Sequence, residues 1–248
     1  MSEALTGVRA EHAESVRVPR ANGLLITGIL LLIVLAIQAL LVAANPAAPW
    51  TQSVDDAWRA LVGVGPDSGV HTGPPAMFFQ YLGELPGFAV MFIPLPAVLT
   101  IVGRWRSALF VIAVQLAGPG LVSQLIKNLV NRPRPATDAA AGLYGPLFTV
   151  DHGSFPSGHA VSAAAIAITV FALIPPTRRR MRVAWGVVGA LLMIGIVWQR
   201  TLINAHWLSD TISGLIAGTG VALVLWWAFQ PWLRRDYGRR PGFLGSRP

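Results

Sequence analysis

Three short segments of the sequence hold the residue types with the greatest capacity for chemistry. They are residues 127–135, residues 155–159, which read FPSGH, and residues 199–210. Together they supply lysine, arginine, two histidines and an aspartate, next to small residues that can open a helix. Arginine, lysine and the free N–H groups at a helix start are common ligands of phosphate. The sequence therefore predicts a phosphate site assembled from three parts of the chain.

The predicted site contains three cations, Lys127, Arg134 and Arg200. Like charges in one pocket repel one another unless an anion joins them. Ser157 and Gly158 open a helix, where unpaired N–H groups and the positive end of the dipole favour the same anion. The Ser157 hydroxyl adds a donor, and Gly158 lets the backbone come close. We expect these five residues to bind a phosphoryl group with no metal or other cofactor.

Two histidines and one carboxylate give this site the means to break a phosphate ester. His206 and Asp210 are four residues apart at the start of a helix, so they share one face. A carboxylate that accepts a hydrogen bond from one ring nitrogen leaves the other nitrogen free to attack phosphorus. His159 comes from another helix and can protonate the leaving oxygen, then take a proton from water. We predict His206 as nucleophile, Asp210 as its orienting acid and His159 as acid and base.

The composition indicates that these segments belong to a membrane protein. Of the 248 residues 54% are hydrophobic and only 12% are charged, about half the usual charged share, and the net charge is +8. So few charges cannot cover a soluble surface, and the apolar content excludes a disordered chain and argues against a nucleic-acid partner. The absence of cysteine excludes disulfides and cysteine-based metal sites. One integral membrane domain is predicted.

Six apolar stretches predict an all-α bundle of six transmembrane helices. They are residues 23–44, 77–103, 107–126, 157–174, 183–199 and 211–233. The first could be a signal peptide, but its run of about 22 residues exceeds the usual apolar core of one, so an uncleaved helix is expected. In the first outer loop, residues 53–64 predict a short helix at the membrane surface, with an irregular loop as the alternative. Residues 23–233 form the predicted membrane domain, between polar tails at 1–22 and 234–248.

The basic residues divide unevenly between the two sides of this bundle. The two tails and the second–third and fourth–fifth loops hold 14 of the 19 Lys and Arg residues. The positive-inside rule makes that side the cytoplasm, so both termini are predicted to be cytoplasmic. The other side keeps Arg59, Lys127, Arg132, Arg134 and Arg200. The phosphate site is therefore expected on the outer face, with Arg132 facing lipid headgroups.

The three segments resemble the three-part signature of the type 2 phosphatidic acid phosphatase superfamily. The signature falls here on Lys127, Arg134, Pro135, Pro156, Ser157, Gly158, His159, Arg200, His206 and Asp210. The resemblance covers roughly residues 80–230. It implies a six-helix membrane phosphatase that needs no metal and works through a phosphohistidine on His206. It also implies the roles given above for His159, for Asp210 and for the phosphate-binding residues.

Two features near the motifs are less easily assigned. The family usually has serine just before the arginine of the third motif, where this sequence has Gln199. An amide can still donate to phosphate, so Gln199 is a possible phosphate ligand. Asp151 and His152 lie close to the second motif and could contact the leaving group, but their loop is expected to be solvated.

These observations predict an enzyme that hydrolyses a lipid phosphate monoester or diphosphate beside the bilayer. The resemblance implies polyprenyl diphosphate, phosphatidic acid or phosphatidylglycerophosphate as substrates, and the outward site favours recycling of a polyprenyl carrier. A phosphotransferase using the same site is an alternative. An anion or lipid transporter would also hold cations in the membrane, but here they cluster at one interface and no repeated broken helices are evident.

Overall fold

The computed structural model describes residues 20–237, and in this part of the chain the fold is all-helical. Apart from a single bridge between Asp138 and Leu143, no strand pairing occurs there. The helices are α1 (Asn22–Ala44), α2 (Gln52–Val62), α3 (Pro74–Gly83), α4 (Leu85–Phe92), α5 (Pro94–Ile101), α6 (Trp105–Val130), α7 (Gly158–Leu173), α8 (Arg179–Leu202) and α9 (Leu208–Asp236). Most of the two predicted tails, residues 1–19 and 238–248, lies outside the described residues.

Four of these helices are long and apolar enough to cross a membrane, namely α1, α6, α8 and α9. The shorter α7 and the segment Ala89–Ile101 are also apolar. The predicted all-α fold is therefore confirmed for the described residues, with four to six apolar helices. The count of six spans stays a prediction. Helix α2 lies where the short helix of the first outer loop was expected, and its location at the membrane surface stays a prediction too.

The second predicted span, residues 77–103, is not one continuous helix. It is divided among α3, α4 and α5. Each of these helices has a proline in its first turn. Proline lacks an N–H donor and tends to end a preceding helix, but it is well tolerated at a helix start. The prolines therefore convert one apolar run into three consecutive short helices.

Helix α6 changes from an α-helix to a π-helix near its middle. The segment Leu116–Val122 is π-helical and contains Pro119. Proline cannot donate the usual backbone hydrogen bond, and a wider turn accommodates its ring. Single π-helical turns within α-helices are common at functional sites. The α-helix resumes at Ser123 and ends at Val130, followed by Asn131 in a left-handed conformation.

Helix α9 is the centre of the bundle and packs against both α7 and α1. Gly214 and Gly218, four residues apart, lie where α9 crosses α7. A Cβ atom at Gly214 would come within 2.5 Å of the Ser157 carbonyl, and one at Gly218 would overlap the Val161 carbonyl. Small residues at this spacing let two membrane helices approach closely. This contact brings the start of α7 beside the start of α9.

A buried arginine joins α2 to the start of α9. Arg132 is 1% exposed, so the expectation that it faces lipid headgroups is wrong. Its guanidinium donates to Asp55 Oδ2 at 2.8 Å and to Asp210 Oδ1 at 2.7 Å. It also donates to Ser209 Oγ at 2.8 Å and to Gln52 Oε1 at 3.0 Å. Two buried carboxylates on different helices draw this charge inward, because close pairing offsets the cost of burying a charge. Of the guanidinium nitrogens only Nε has no partner in the described residues.

Loss of this buried pairing should destabilise the protein far more than loss of a neighbouring exposed charge. Asp55 is 1% exposed, and the next residue, Asp56, is exposed. Asp55→Ala leaves part of Arg132 unpaired, and we expect a loss of about 3–5 kcal/mol. Asp56→Ala is the matched control and should change stability by less than about 0.5 kcal/mol. Tryptophan-monitored thermal unfolding in detergent measures both, and equal effects would contradict this description of Arg132.

Candidate active site

The predicted phosphate-site residues converge on one cavity of about 380 Å³. The size is within the usual range for ligand pockets. Charged and histidine side chains come from five separate parts of the chain. The residues that line it are Gly83, Glu84, Pro119, Gly120, Gln124, Lys127, Arg134, Thr149, Val150, Asp151, Gly158, His159, Ser162, Arg200 and His206. The three predicted cations and both predicted catalytic histidines are therefore brought together.

The ring of His206 is held in one orientation by the backbone just before the second motif. Its Nδ1 lies 2.8 Å from the Ser154 carbonyl oxygen, which can only accept, so Nδ1 carries the hydrogen. Nε2 is then the nitrogen with the free electron pair. It lies 3.2 Å from Arg134 Nη1, an N–H donor. His206 therefore turns an unprotonated nitrogen towards the cations of the cavity.

Asp210 supports His206 from behind without bonding to the ring directly. Its Oδ2 is 3.8 Å from Nδ1 of His206, which is too long for a hydrogen bond. This oxygen accepts instead from the Ser154 hydroxyl and from the Trp207 N–H. The expected one-step contact between Asp210 and His206 is replaced by an arrangement in which Ser154 contacts both. Sequence reasoning did not single out Ser154.

Lys127 and Arg134 share one carboxylate partner at the cavity. Lys127 Nζ donates to both oxygens of Asp151, at 3.0 and 2.9 Å, and Arg134 Nη2 donates to Oδ1 at 2.5 Å. Burial alone would raise the pKa of Asp151, but the hydrogen bond and charge of Lys127 and the charge of Arg134 lower it. Asp151 is half exposed yet paired with both cations, so the expectation of a merely solvated loop residue is wrong.

The remaining predicted phosphate ligands differ in their access to the cavity. Gly158 and His159 line it, and His159 Nε2 is buried without a hydrogen-bond partner in the described residues. Ser157 does not line it, and its buried hydroxyl has no partner there either. The N–H of Ser157 donates to the Asp210 carbonyl at 3.0 Å. The start of α7 is thereby fixed to the start of α9, which brings the two motifs together.

Two other candidates point elsewhere. Gln199 is fully buried, does not line the cavity and donates its amide to Gln80 at 2.8 Å. Arg200, its neighbour, lines the cavity and donates to the same Gln80 oxygen at 2.7 Å. His152 is exposed, and its Nε2 lies 2.9 Å from Asn128 Oδ1, outside the cavity lining. Neither Gln199 nor His152 is placed as a phosphate ligand.

A family comparison identifies this arrangement. A model of the PAP2 superfamily matches residues 107–234, just over half of the chain. The chain belongs to the PAP2 superfamily. The resemblance to type 2 phosphatidic acid phosphatases that the three motifs suggested is thereby confirmed. The matched region includes every predicted site residue from Lys127 to Asp210.

Two relatives are about one-third identical to this chain over part of its length. Both are named lipid A 1-phosphatase. The one from Rhizobium johnstonii is 32% identical over 108 residues, and the one from Rhizobium etli is 34% identical over 110 residues. Each match covers 42% of this chain and 41% or 43% of the relative. The chain thus spans about two fifths of the length of the curated relatives it matches.

A solved structure shares the fold across most of the chain. It is described as the crystal structure of the first transmembrane PAP2 type phosphatidylglycerolphosphate phosphatase from Bacillus subtilis. The TM-score is 0.65, the identity is 17%, and the match covers 86% of this chain and 99% of the other. Together with the apolar helices, this likeness confirms the predicted multi-pass membrane fold.

The environment of His206 predicts how it titrates. Burial, reinforced by the charges of Arg134, Arg200 and Lys127, lowers the pKa of His206 well below its ordinary value. The ring should stay neutral, with hydrogen on Nδ1, as the pH falls through about 6.5, where an ordinary histidine becomes charged. NMR of protein with ¹⁵N-labelled histidine and no added phosphate measures both properties, and His206→Asn identifies the signal. Protonation at or above pH 6.5, or hydrogen on Nε2, would contradict this geometry.

Proposed function

We propose that this PAP2 protein is a membrane phosphatase that hydrolyses a lipid phosphate through a phosphohistidine on His206. The observation that carries the proposal is the orientation of the His206 ring. Nδ1 donates to the Ser154 carbonyl at 2.8 Å, and Nε2 faces the cavity beside Arg134. A neutral imidazole with its electron pair directed at an anion site is suited to attack phosphorus.

Binding of the phosphoryl group depends on the cavity cations. Lys127, Arg134 and Arg200 offer N–H donors to the phosphoryl oxygens. Gly158 is the first residue of α7, where free backbone N–H groups favour an anion. These positive charges also stabilise the negative charge that spreads over the phosphoryl oxygens during transfer. Within the described residues, no group of three or more acidic or histidine side chains is arranged to hold a metal ion. We assign charge stabilisation to the three cations because they line the cavity.

The transfer proceeds in two balanced steps. In the first, Nε2 of His206 forms a bond to phosphorus while the bond from phosphorus to the lipid oxygen breaks, and His159 gives that oxygen a proton. In the second, His159 takes a proton from water, the oxygen attacks phosphorus, and the P–N bond breaks to restore His206. The unpartnered, buried Nε2 of His159 suits such a proton carrier. During the intermediate, Ser154 and Asp210 stabilise the positive charge of the ring.

We propose that residues 23–233 form a six-span domain with cytoplasmic tails and the cavity at the outer face. The distribution of charge in the bundle supports this orientation. Arg104 donates to the carbonyl of Asp236, and Arg106 pairs with its carboxylate at 3.4 Å, so the second–third loop meets the end of α9. The cavity is lined instead by the end of α6, the start of α7, the end of α8 and the loops beside them, at the opposite end of the bundle. Basic residues concentrate on the cytoplasmic side of membrane proteins.

The proposed substrate class is a lipid phosphate monoester or diphosphate. The relatives are named for lipid A and the structural neighbour for phosphatidylglycerolphosphate, both phosphorylated lipids. The candidate substrates to compare are phosphatidic acid, phosphatidylglycerophosphate and a polyprenyl diphosphate. A panel of these three, with soluble phosphate esters as controls, ranks them by kcat/KM.

The purified protein in detergent should release inorganic phosphate from at least one of these lipids. Full activity is expected in EDTA, because the cations rather than a metal ion take up the charge. His206→Asn should lower kcat by about 10³-fold or more, as for other catalytic nucleophiles. His152→Asn is the matched control at an exposed position and should leave kcat unchanged. Phosphate release into the medium, followed with time, measures all three.

Two results would count against the proposal. An active His206→Asn variant would remove His206 as nucleophile, and complete loss of activity in EDTA would exclude the metal-free mechanism. Sealed right-side-out vesicles test the orientation with a short-chain phosphatidic acid that crosses membranes slowly. Hydrolysis of external substrate is expected, and hydrolysis in inverted vesicles alone would reverse the proposed topology.

A further inference from the structure

Gln80 on α3 occupies a position that the mechanism above does not use. It is 4% exposed and lies before the region that the PAP2 model matches. Its single carbonyl oxygen, Oε1, accepts two hydrogen bonds from consecutive residues of α8. Arg200 Nη1 donates at 2.7 Å and Gln199 Nε2 at 2.8 Å. A buried amide oxygen shared by two donors is a specific contact between α3 and α8.

The amide nitrogen of Gln80 fixes the orientation of the amide group. Its Nε2 donates to a carboxylate oxygen of Glu84, which lines the cavity one turn further along the chain. Two donors on one side and an acceptor on the other leave a single favourable orientation of the amide. Helix α3 is itself closely packed at this level, since a Cβ atom at Gly83 would overlap the His159 ring. The hydrogen bonds of Gln80 and the close packing of α3 therefore restrain its side chain.

The neutrality of Gln80 distinguishes Arg200 from the other two cavity cations. Lys127 and Arg134 are both paired with the carboxylate of Asp151. Arg200 has instead an amide partner at Nη1, and its buried Nε has no partner in the described residues. An amide orients a guanidinium without cancelling its charge. Arg200 thus keeps a free donor for an anion in the cavity, and the carboxylates of Glu84 and Asp151 act on its charge without a hydrogen bond to it.

We propose that Gln80 is a positioning residue that orients Arg200 towards the bound phosphoryl group, with Gln199 fixing the Gln80 amide from the same helix as Arg200. This role explains why Gln199 does not line the cavity although it stands where the family usually has serine. The inference rests on the proposed function, because it treats Arg200 as a phosphate ligand. It adds a positioning residue from α3 to a site whose proposed phosphate ligands come from the three motifs.

Binding of orthovanadate, a phosphate analogue, tests this role without requiring turnover. Calorimetry on the purified protein in detergent gives the affinity. Gln80→Met keeps the length of the side chain but removes the shared oxygen, and we expect affinity to fall about tenfold, as for loss of a hydrogen bond to a charged group. Gln38→Met is the matched control, since Gln38 bonds Ser213 between α1 and α9 outside the cavity lining. It should leave affinity unchanged.

A double-mutant cycle shows whether Gln80 acts through Arg200. In the Arg200→Lys background, Gln80→Met should change orthovanadate affinity by less than about twofold, because the positioned group is already gone. If the two substitutions reduce orthovanadate affinity independently, so that their fold-changes multiply, the proposal is overturned. Wild-type affinity in a folded Gln80→Met protein would also overturn it. If Gln80→Met does not fold, Gln80→Glu serves, and its added charge should weaken binding more than tenfold. Wild-type orthovanadate affinity in the Gln80→Glu protein would also overturn the proposal.

The two proposals fail in different ways. If the wild-type protein hydrolyses no lipid phosphate, the proposed function fails, while orthovanadate binding still decides the role of Gln80. If the wild-type protein is an active phosphatase and the Gln80 variants bind orthovanadate normally, only the positioning role fails. Separate values of KM and kcat add a further distinction, because misplacement of a phosphate ligand raises KM for the lipid, whereas general loss of folded protein lowers apparent kcat and leaves KM unchanged.

Discussion

Arg132 lies between two buried carboxylates, Asp55 and Asp210, and the geometry of the site follows from this pairing. Removing three charges from water is expensive, and here two close ion pairs offset that cost, while the buried Nε of Arg132 has no partner in the described residues. The pairing fixes α2, the loop after α6 and the start of α9 relative to one another. From Asp210 the network continues through Ser154 to the His206 ring. The orientation of the proposed nucleophile thus depends on a charge that never reaches the cavity.

The cavity itself must hold three cations close together without an anion from outside. The structure meets this constraint in two ways. Asp151 lies against Lys127 and Arg134 and is kept ionised by them, which relieves their mutual repulsion. Arg200 is held by a neutral amide and keeps its charge. Under the proposed function, an incoming phosphate competes with Asp151 for Lys127 and Arg134, whereas no carboxylate in the described residues is hydrogen-bonded to Arg200.

The parts of this site that the sequence could predict are those governed by short-range spacing. Lys127, Arg134, His159, Arg200 and His206 sit at helix ends, where the change from apolar to polar sequence locates them, and all five reach the cavity. Their catalytic roles stay predictions. The all-α fold followed equally from the long apolar runs. The prolines of residues 77–103 were visible in the sequence, and they divide that run into three short helices.

Contacts between residues far apart in the sequence could not be predicted from spacing and composition. Arg132 and Asp55 are 77 positions apart, and a lone arginine at a helix end fits lipid contact and burial equally well. Gln80 is a single polar residue in an apolar stretch, 120 positions from Arg200. Ser154 and Asp151 stand in a loop whose residues looked solvated. In each case the function of the residue arises from a partner that only the folded chain brings near.

Isolation of the covalent intermediate tests the central claim most directly. The protein is mixed with a lipid carrying ³²P in its phosphate and quenched in alkali, where phosphohistidine survives; His159→Ala is included to slow its hydrolysis. Peptide mapping then locates the label. We predict phosphate on Nε2 of His206, because Nδ1 is engaged by Ser154. Label on another residue or on Nδ1, or turnover by the wild-type protein without any labelled protein, would contradict it.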